Sequence, residues 1–473
     1  MKIQRSADPS WGAQVVMASL GVTDAFLGIL CNEWVVTRLF RPDHQLEPAQ
    51  KILVDAMLVG VGATLYLARH RVRYVNVILA AHILTYGLTT SELVLRRLEI
   101  RAHFTSDGRP AIRVSETFHH DFVPNQTFTT YISPLDGDWV SSENKINRLG
   151  MRGPEIPPKR DDEFRVLLLG DSFIEADEIP YPLTVGQELT RLLGNPRVRV
   201  LQYGMFGWSP LLELNWIVKR GLALEPDVIV LFLCINDFYS ASSGWSDASY
   251  TREAVFDTRG LPIEFKVVNT TRRPWNDLLI VERLRALFRF WRQGPPRSLT
   301  QGELDRLLQI DASRLDAELE QSIPRELETR SLLIDIIKLA RPTTSWDEET
   351  LQTVGITIRY LDIMERILRE QRVRLIITLI PDGWNVSLRD NLEGRKRYAL
   401  SGVIVPLGGI EEMIRRFCRN KSVEYVDLHA IFTAEEAKGD QPLYLSVDGH
   451  WNPRGHQVVA KALYGNLFSK RRL

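Results

Sequence analysis

Residues 164–173 read FRVLLLGDSF, and this stretch decides the fold class. The run at 164–169 lacks polar alternation, which is typical of a strand buried on both faces of a sheet. Further apolar runs of this kind lie at 198–203, 228–234, 374–380 and 423–428. Helical patterns lie between and after these runs, at 182–193, 210–224, 347–370, 410–419 and 453–468. Strands that alternate with helices predict an α/β fold, a doubly wound parallel sheet in three layers (α/β/α).

The predicted α/β domain covers residues 161–473 and carries a helical insert at about 240–342. Residues 101–160 have scattered Gly, Pro and Asn and are expected to form a linker or a small subdomain. Ser345 and Glu348 have the spacing of a capping box and predict the start of the helix at 347. Within the insert, residues 280–292 form a basic amphipathic pattern that suits either an anionic membrane surface or packing on the domain.

Apolar residues concentrate in the first hundred positions. Three runs, at 11–30, 52–68 and 75–95, have about the length that a membrane-spanning helix needs, roughly 20 residues. Asp24, Asp55, His82 and Glu92 interrupt them, so a soluble bundle of amphipathic helices is the alternative. We expect residues 1–100 to form a membrane anchor of about three transmembrane helices. A cytoplasmic N-terminus would make the catalytic domain extracytoplasmic, but the arginines on both sides of the third run leave the orientation open.

The composition excludes several classes of protein. The chain has 473 residues, of which 44% are hydrophobic and 25% charged, which is typical of globular proteins and not of disordered ones. Its 59 basic and 59 acidic residues argue against nucleic acid as a partner. The 3 cysteines are far apart, and the histidines lack ligand spacing, so we expect no zinc site and no other metal.

Polar and glycine residues follow the predicted strands where a parallel sheet gathers its ligand-binding loops. Ser172 follows the first strand, Gly207 lies just beyond the second, and Asn236 follows the third. Asp448 and His450 stand just before the last helix. These are the parts of an acyl-transfer site, namely a nucleophile, oxyanion donors, and a base with the residue that orients it. Simple helix-capping roles for Ser172 and His450 are the alternative.

This arrangement resembles the SGNH (GDSL-type) hydrolase superfamily over roughly residues 147–468, apart from the insert. Gly170-Asp171-Ser172 matches the first sequence block, Gly207 the oxyanion glycine, Asn236 the oxyanion asparagine, and Asp448 with His450 the last block. Residues 147–155 are similar to the lead-in of membrane-anchored members. Three positions depart from the pattern: Gln202 replaces an Asn, Cys234 with Ile235 replaces Gly-x, and only Gly449 separates Asp448 from His450. The tighter Asp-Gly-His-Trp spacing is similar to that of O-acetyltransferases of this type that act on exopolysaccharides.

The resemblance implies a membrane-anchored serine esterase that cleaves O-acyl, mainly acetyl, esters of glycan or lipid substrates. Ser172, Asp448 and His450 would form the catalytic triad, and Ser172, Gly207 and Asn236 the oxyanion hole. No cofactor is implied. Two alternatives remain open, an O-acyltransferase that modifies a cell-surface polysaccharide and a catalytically silent domain that binds glycan. Hydrolase and transferase share the same acyl-enzyme and differ in whether water or a sugar hydroxyl attacks it.

Overall fold

The structure is a computed structural model, and it describes most of the chain beyond residue 110. The described ranges are 111–132, 141–238, 251–257, 262–268, 298–310, 314–315, 317–318, 330–439 and 441–467, together with positions 14–16, 18–20, 22, 63 and 66. All elements named below belong to one compact unit, which comprises Ala111–Thr271 and Arg289–Leu473.

The strands of this unit are numbered in chain order. They are β1 (Ile112–Ser115), β2 (His119–Phe122), β3 (Thr127–Tyr131), β4 (Ser141–Lys145), β5 (Phe164–Gly170), β6 (Val198–Gly204), β7 (Val228–Leu233), β8 (Thr251–Phe256), β9 (Pro262–Val268), β10 (Arg374–Leu379) and β11 (Glu424–Val426).

The α-helices are numbered in the same way. They are α1 (Ser172–Glu175), α2 (Val185–Leu193), α3 (Pro210–Trp216), α4 (Gln301–Gln309), α5 (Arg330–Ala340), α6 (Glu348–Glu370), α7 (Gly383–Val386), α8 (Gly408–Lys421), α9 (Leu428–Glu436) and α10 (Pro453–Leu467). A π-helical turn (Ile217–Gly221) and a 3-10 turn (Leu222–Leu224) continue α3, and a 3-10 turn (Ile235–Phe238) follows β7.

A five-stranded parallel sheet forms the centre of the unit, in the order β11-β10-β7-β5-β6. The prediction of a parallel α/β sheet is therefore confirmed. The chain runs outward from β5 in both directions, first to β6 and then back past β5 to β7. The point between β5 and β7 is thus a topological switch point, where doubly wound sheets bind ligands beyond the carboxyl ends of their strands.

Successive residues of the central strands face opposite layers, as the continuous apolar runs predict. Leu167 of β5 and Leu231 of β7 pack in one core with α3, α5, α6 and α8. Val166 and Val230 pack in the other core with α2, α9 and α10. Because both faces are covered, no strand residue of β7 is exposed.

Residues 111–160, expected to form a linker or small subdomain, contain two antiparallel hairpins, β1–β2 and β3–β4. These hairpins carry buried side chains, including Phe122 and Phe128, that belong to the core of the α/β unit. The described part of the insert contains α4 and α5 and also the hairpin β8–β9, which the sequence analysis did not predict.

The capping box expected at Ser345 is wrong. Ser345 ends a 3-10 turn (Thr343–Ser345), and α6 begins two residues later than that cap would require. Asp347 is the actual cap, since its Oδ1 atom accepts the N–H of Thr350 at 2.8 Å. Asp is as effective an N-cap as Ser, so spacing alone does not choose between neighbouring candidates.

The three membrane spans predicted within residues 1–100, and the amphipathic pattern at 280–292, lie outside the described residues except for the few positions given above. In the part of the chain that the structure describes, no helix combines the length and the apolar character needed to cross a bilayer.

Candidate active site

Ser172 is the first residue of α1, directly after β5. Asp171 caps this helix, because its Oδ1 atom accepts the N–H of Phe173 at 3.1 Å. The capping alternative for Ser172 is therefore wrong, and its hydroxyl is available for other chemistry. Asp171 is buried, whereas Ser172 is partly exposed at the sheet edge.

The end of β6 lies against the backbone of α1. Gly204 pairs with Gly170 across the two strands. A Cβ atom on Gly204 would collide with backbone atoms of Asp171, Ile174 and Glu175. Only glycine fits this contact between β6 and the backbone of α1.

His450 brings the C-terminal part of the chain into contact with Ser172, which directly follows β5. Its Nε2 atom lies 2.8 Å from Oγ of Ser172, and its Nδ1 atom is hydrogen-bonded to Oδ1 of Asp448. In the neutral imidazole with the proton on Nδ1, Nδ1–H donates to Asp448 and Nε2 accepts the hydroxyl proton of Ser172. The structure thus brings the three predicted catalytic residues together in the order that a serine nucleophile requires.

The one-residue spacer between Asp448 and His450 is a glycine with φ of 92°. A side chain at Gly449 would be strained by this φ and would also meet the amide of Asn391. The backbone N–H of His450 donates to Asp448 as well, at 3.3 Å, so one carboxylate oxygen holds both the ring and its backbone. His450 does not cap α10, because Asn452 accepts the N–H of Gly455 at 3.0 Å there.

Carboxylates surround His450 and set its charge. Glu178 Oε1 lies 3.5 Å from Nδ1, on the side away from Ser172. Burial disfavours the protonated imidazole, but the charges of Asp448 and Glu178 outweigh burial and raise the pKa of His450 well above its ordinary value. His450 in turn helps to hold the pKa of Asp448 below its usual range, against the opposing effect of burial.

Glu178 is a site residue that the sequence analysis missed. Its side chain is only 7% exposed, against 43% for Asp448, so solvent screens its interaction with His450 less than that of Asp448. Burial raises the pKa of Glu178 well above its usual range, although His450 opposes the shift. The sequence does show an acidic cluster close after Ser172. It consists of three acidic residues within four positions, namely Glu175, Asp177 and Glu178.

The hairpin β3–β4 and the adjoining segment hold this acidic loop in place. Thr130 donates its hydroxyl to Asp177 at 2.8 Å, and Asn144 donates to the carbonyl of Asp177 at 2.9 Å. The Arg152 guanidinium donates to the carbonyls of Ala176 and Ile179 at 2.5 and 2.6 Å. Arg152 belongs to the lead-in segment at 147–155, so that segment supports the loop that carries Glu178.

Asn236 lies in the 3-10 turn after β7. Its Nδ2 atom donates to Oδ2 of Asp171 at 3.0 Å, and its Oδ1 atom accepts the thiol of Cys234. Cys234 also contacts Asp171 at 2.9 Å, and burial followed by the charge of Asp171 raises the pKa of this thiol well above its ordinary value. An NH₂ group has two hydrogens, so Asn236 can be anchored to Asp171 and still present one N–H to a ligand.

Gly207 lies in the turn after β6, with φ of 64°. The preceding residue, Phe206, donates its N–H to Glu175 of α1. Gln202, the departure from the expected Asn, donates to the carbonyl of Ile174 at 2.6 Å and accepts the N–H of Gly186 at 2.7 Å. Gln202 therefore braces the end of α1 from within β6, and the turn of Gly207 is tied to the same helix.

Asp382 follows β10 at the same sheet edge and was also missed. Burial and the nearby charge of Asp171 raise the pKa of Asp382 to about 7. His456, by contrast, lies buried in α10 with its ring edge-on to Trp451 at 5.6 Å. Burial lowers the pKa of His456 to about 3, so it is neutral at physiological pH.

The side chains in the described residues that could hold a metal ion are Glu178, Asp448 and His450, whose donor atoms lie within 4.8 Å of one another. Nδ1 of His450 is already engaged by Asp448, and Nε2 faces Ser172. The same three side chains also form a histidine flanked by two carboxylates, the arrangement that orients a general base.

Comparisons with known proteins find similarity only at the level of solved structures. No family model and no curated protein matches the sequence. A member of the lipolytic protein G-D-S-L family from Veillonella parvula is 11% identical with a TM-score of 0.31, over 65% of this chain and 100% of that one. The acetyl xylan esterase AlAXEase is 12% identical with a TM-score of 0.33, over 64% of this chain and 100% of that one. Axe2 is an acetylxylan esterase from Geobacillus stearothermophilus that was crystallised as a catalytic mutant. It is 12% identical with a TM-score of 0.32, over 66% of this chain and 99% of that one.

Proposed function

We propose that this protein is a serine esterase that cleaves O-acyl esters, with acetyl esters of glycans or lipids as its substrates. The observation that carries the proposal is the hydrogen-bonded series from Ser172 through His450 to Asp448, which lies at the switch point of the sheet. A partly exposed serine, a histidine with an accepting Nε2 and a carboxylate on Nδ1 are the groups that nucleophilic catalysis at an ester carbonyl uses.

In the first half of the reaction, Oγ of Ser172 attacks the ester carbonyl carbon while Nε2 of His450 takes the hydroxyl proton. The carbonyl oxygen becomes an oxyanion, which the N–H groups of Ser172 and Gly207 and the amide of Asn236 would bind. The tetrahedral intermediate then expels the alcohol oxygen, which receives the proton from His450. The products are a free alcohol and an acyl ester on Ser172.

In the second half, water donates a proton to Nε2 of His450 and attacks the acyl carbon. Collapse of the second intermediate breaks the bond to Oγ, releases the carboxylic acid and returns the proton to Ser172. Asp448 and Glu178 favour the imidazolium that forms in both halves, because both carboxylates lie on the Nδ1 side of the ring.

The test is covalent labelling by a fluorophosphonate probe, followed by mass spectrometry of the labelled peptide. We expect the label on Ser172, together with turnover of p-nitrophenyl acetate and release of acetate from an acetylated polysaccharide. Ser172→Ala should lose both label and turnover and keep its fold. The matched control is Ser345→Ala in the 3-10 turn before α6, which should behave like the wild type. Full turnover by a folded S172A variant would remove the enzyme claim at this site.

A second candidate, an O-acyltransferase acting on a polysaccharide, is favoured by the spacing of Asp448, Gly449, His450 and Trp451. Both reactions share the acyl-serine, so labelling does not separate them. The two reactions are separated by supplying an acyl donor with and without a glycan acceptor and measuring the products. A transferase forms an acylated glycan at the expense of free acid. A silent glycan-binding domain would take no label, turn over no ester and still bind glycan.

We also propose that the three apolar runs within residues 1–100 attach the enzyme to a membrane, with its active site outside the cytoplasm. Hydropathy and length support the attachment. The full chain should stay in the membrane fraction after a carbonate wash, whereas a chain that begins near residue 101 should be recovered in the soluble fraction. Release of the full chain by carbonate would favour the bundle of amphipathic helices instead.

A further inference from the structure

The turn that carries Gly207 has a defined type. The N–H of Trp208 donates to the carbonyl of Met205 at 3.1 Å, which closes a four-residue β-turn. Gly207, the third residue, has φ of 64°, whereas Phe206, the second, is not among the residues with positive φ. Negative φ followed by positive φ identifies a type II turn.

Type I and type II turns differ in the orientation of their central peptide, which is rotated by about 180° between them. Here the central peptide joins Phe206 to Gly207. In a trans peptide, the C=O and N–H bonds point in opposite directions. Whatever holds the carbonyl of Phe206 therefore also determines where the N–H of Gly207 points.

A histidine from outside the sheet holds this carbonyl. His120, in β2, places Nε2 at 2.7 Å from the carbonyl oxygen of Phe206. A carbonyl oxygen only accepts, so Nε2 of His120 carries the hydrogen. In the neutral ring, Nδ1 of His120 is then an acceptor, and Nδ1 of His119 lies 2.8 Å away as its donor. The pair of histidines thus fixes the tautomer that the turn requires.

The imidazole of His120 is held firmly. Its side chain is buried, and its ring lies 4.8 Å from the ring of Phe206. The indole of Trp208 donates to the carbonyl of His120 at 3.3 Å. The next residue, Asp121, accepts Tyr203 at 3.0 Å and Arg220 at 2.8 Å, which ties β2 to the end of β6 and to the turn after α3.

We propose that His120 is a positioning residue of the oxyanion hole, which holds the Phe206–Gly207 peptide in the type II orientation and so aims the N–H of Gly207 at the substrate. The hydrogen bond to the carbonyl also polarises the peptide and strengthens its N–H as a donor. This inference rests on the proposed function, since it assigns Gly207 as an oxyanion donor. The hairpin β1–β2 is thereby a part of the active site and not only a covering element.

The test compares two amides at one position. In His120→Gln the amide nitrogen takes the place of Nε2 and still reaches Phe206. In His120→Asn it takes the place of Nδ1 and does not. Since removing an oxyanion donor costs about 10² to 10³ in kcat, we expect H120N to lose about tenfold or more in kcat with KM nearly unchanged. H120Q should recover most of this loss, and fluorophosphonate labelling should slow in parallel with kcat.

Asn215→Ala is the matched control. Its amide donates to the carbonyl of Thr117, in the same hairpin, without touching the turn. This variant should lower the melting temperature while kcat in the folded fraction stays close to the wild-type value. If H120N and N215A lower the melting temperature alike and both keep their kcat, His120 merely anchors the hairpin and the proposal is overturned. Should H120N fail to fold, His120→Phe is used in its place, because phenylalanine keeps the ring volume but lacks the N–H donor.

A crystal structure of H120N supplies a readout that needs no activity. A rotated or heterogeneous Phe206–Gly207 peptide supports the positioning role, and an unchanged peptide overturns it. If the wild type takes no label and turns over no ester, the proposed function fails, and the orientation of this peptide still decides the role of His120.

Discussion

His450 Nε2 and Ser172 Oγ lie 2.8 Å apart, although 278 positions separate the two residues in the chain. The distance is that of a hydrogen bond between a hydroxyl and an imidazole nitrogen. It exists because β5 ends at the same sheet edge to which the loop before α10 returns. The edge-on contact of the His450 ring with Phe173, at 4.7 Å between centroids, keeps the imidazole over the start of α1.

The dependence of kcat/KM on pH should reflect the effect of two carboxylates, those of Asp448 and Glu178, on the pKa of His450. A general base acts in its neutral form, and the pKa of His450 is raised, so kcat/KM should rise with pH through a midpoint well above 6.5. Glu178→Gln removes the negative charge that Glu178 carries when it is ionised, and it should move this midpoint to lower pH while most of the plateau remains. Asp448→Asn should move it in the same direction and also lower the plateau, by about 10² or more, because the ring loses its orienting partner.

The control for this series is Glu143→Gln, the same change on an exposed side chain of β4. It should leave both midpoint and plateau unchanged. A Glu178→Gln profile that coincides with the wild-type profile would mean that Glu178 does not act on His450.

Asn236→Ala should separate an oxyanion donor from an anchor of the turn. If the amide stabilises charge that develops only in the transition state, kcat should fall by about 10² or more with KM little changed. Steady-state kinetics and thermal unfolding on the same variant decide between the roles. The amide also bonds to Asp171, so a purely structural role would instead appear as a lower melting temperature with kcat nearly intact.

Gly204→Ala should disrupt the site through the backbone. The added methyl group would collide with backbone atoms of Asp171 and Glu175, which cannot move without displacing Ser172. Overpacking of this kind typically costs about 1 to 3 kcal/mol or more, and we expect loss of activity together with a lower free energy of unfolding. Gly355→Ala in α6 is the control. It has open space around it, and alanine in a helix interior should stabilise the protein by about 0.5 to 1 kcal/mol.

His456 should make the folded protein less stable in acid. In the unfolded chain this histidine binds a proton below its ordinary pKa of 6.5, whereas in the folded protein it does so only near pH 3. The unfolded state therefore gains protons first as pH falls from about 6.5 towards 3, and the free energy of unfolding falls by up to about 1.4 kcal/mol per pH unit. Chemical denaturation of wild type and His456→Phe across this range tests this, because the variant should lack that part of the slope. Parallel slopes for the two proteins would contradict it.

The sequence by itself determined the class of the fold and the positions of the chemical groups. Apolar runs without polar alternation fix buried parallel strands, and the observed β5, β7 and β10 lie within a residue or two of their predicted ranges. The rule that loops after parallel strands share an edge was enough to predict that Ser172 and Asn236 lie at one edge of the sheet. These features depend on local pattern and on a general property of α/β sheets, so they can be derived without coordinates.

Tertiary structure decided which neighbour performs which task. Asp171 and not Ser172 caps α1, and Asp347 and not Ser345 caps α6, because a cap is chosen by where the helical backbone actually begins. Glu178 meets His450, and His120 meets Phe206, only because the hairpins of residues 111–145 fold back onto the sheet edge. Such contacts join segments without any shared periodicity, so their distances follow from packing and from the strand order, which no local pattern in the chain encodes.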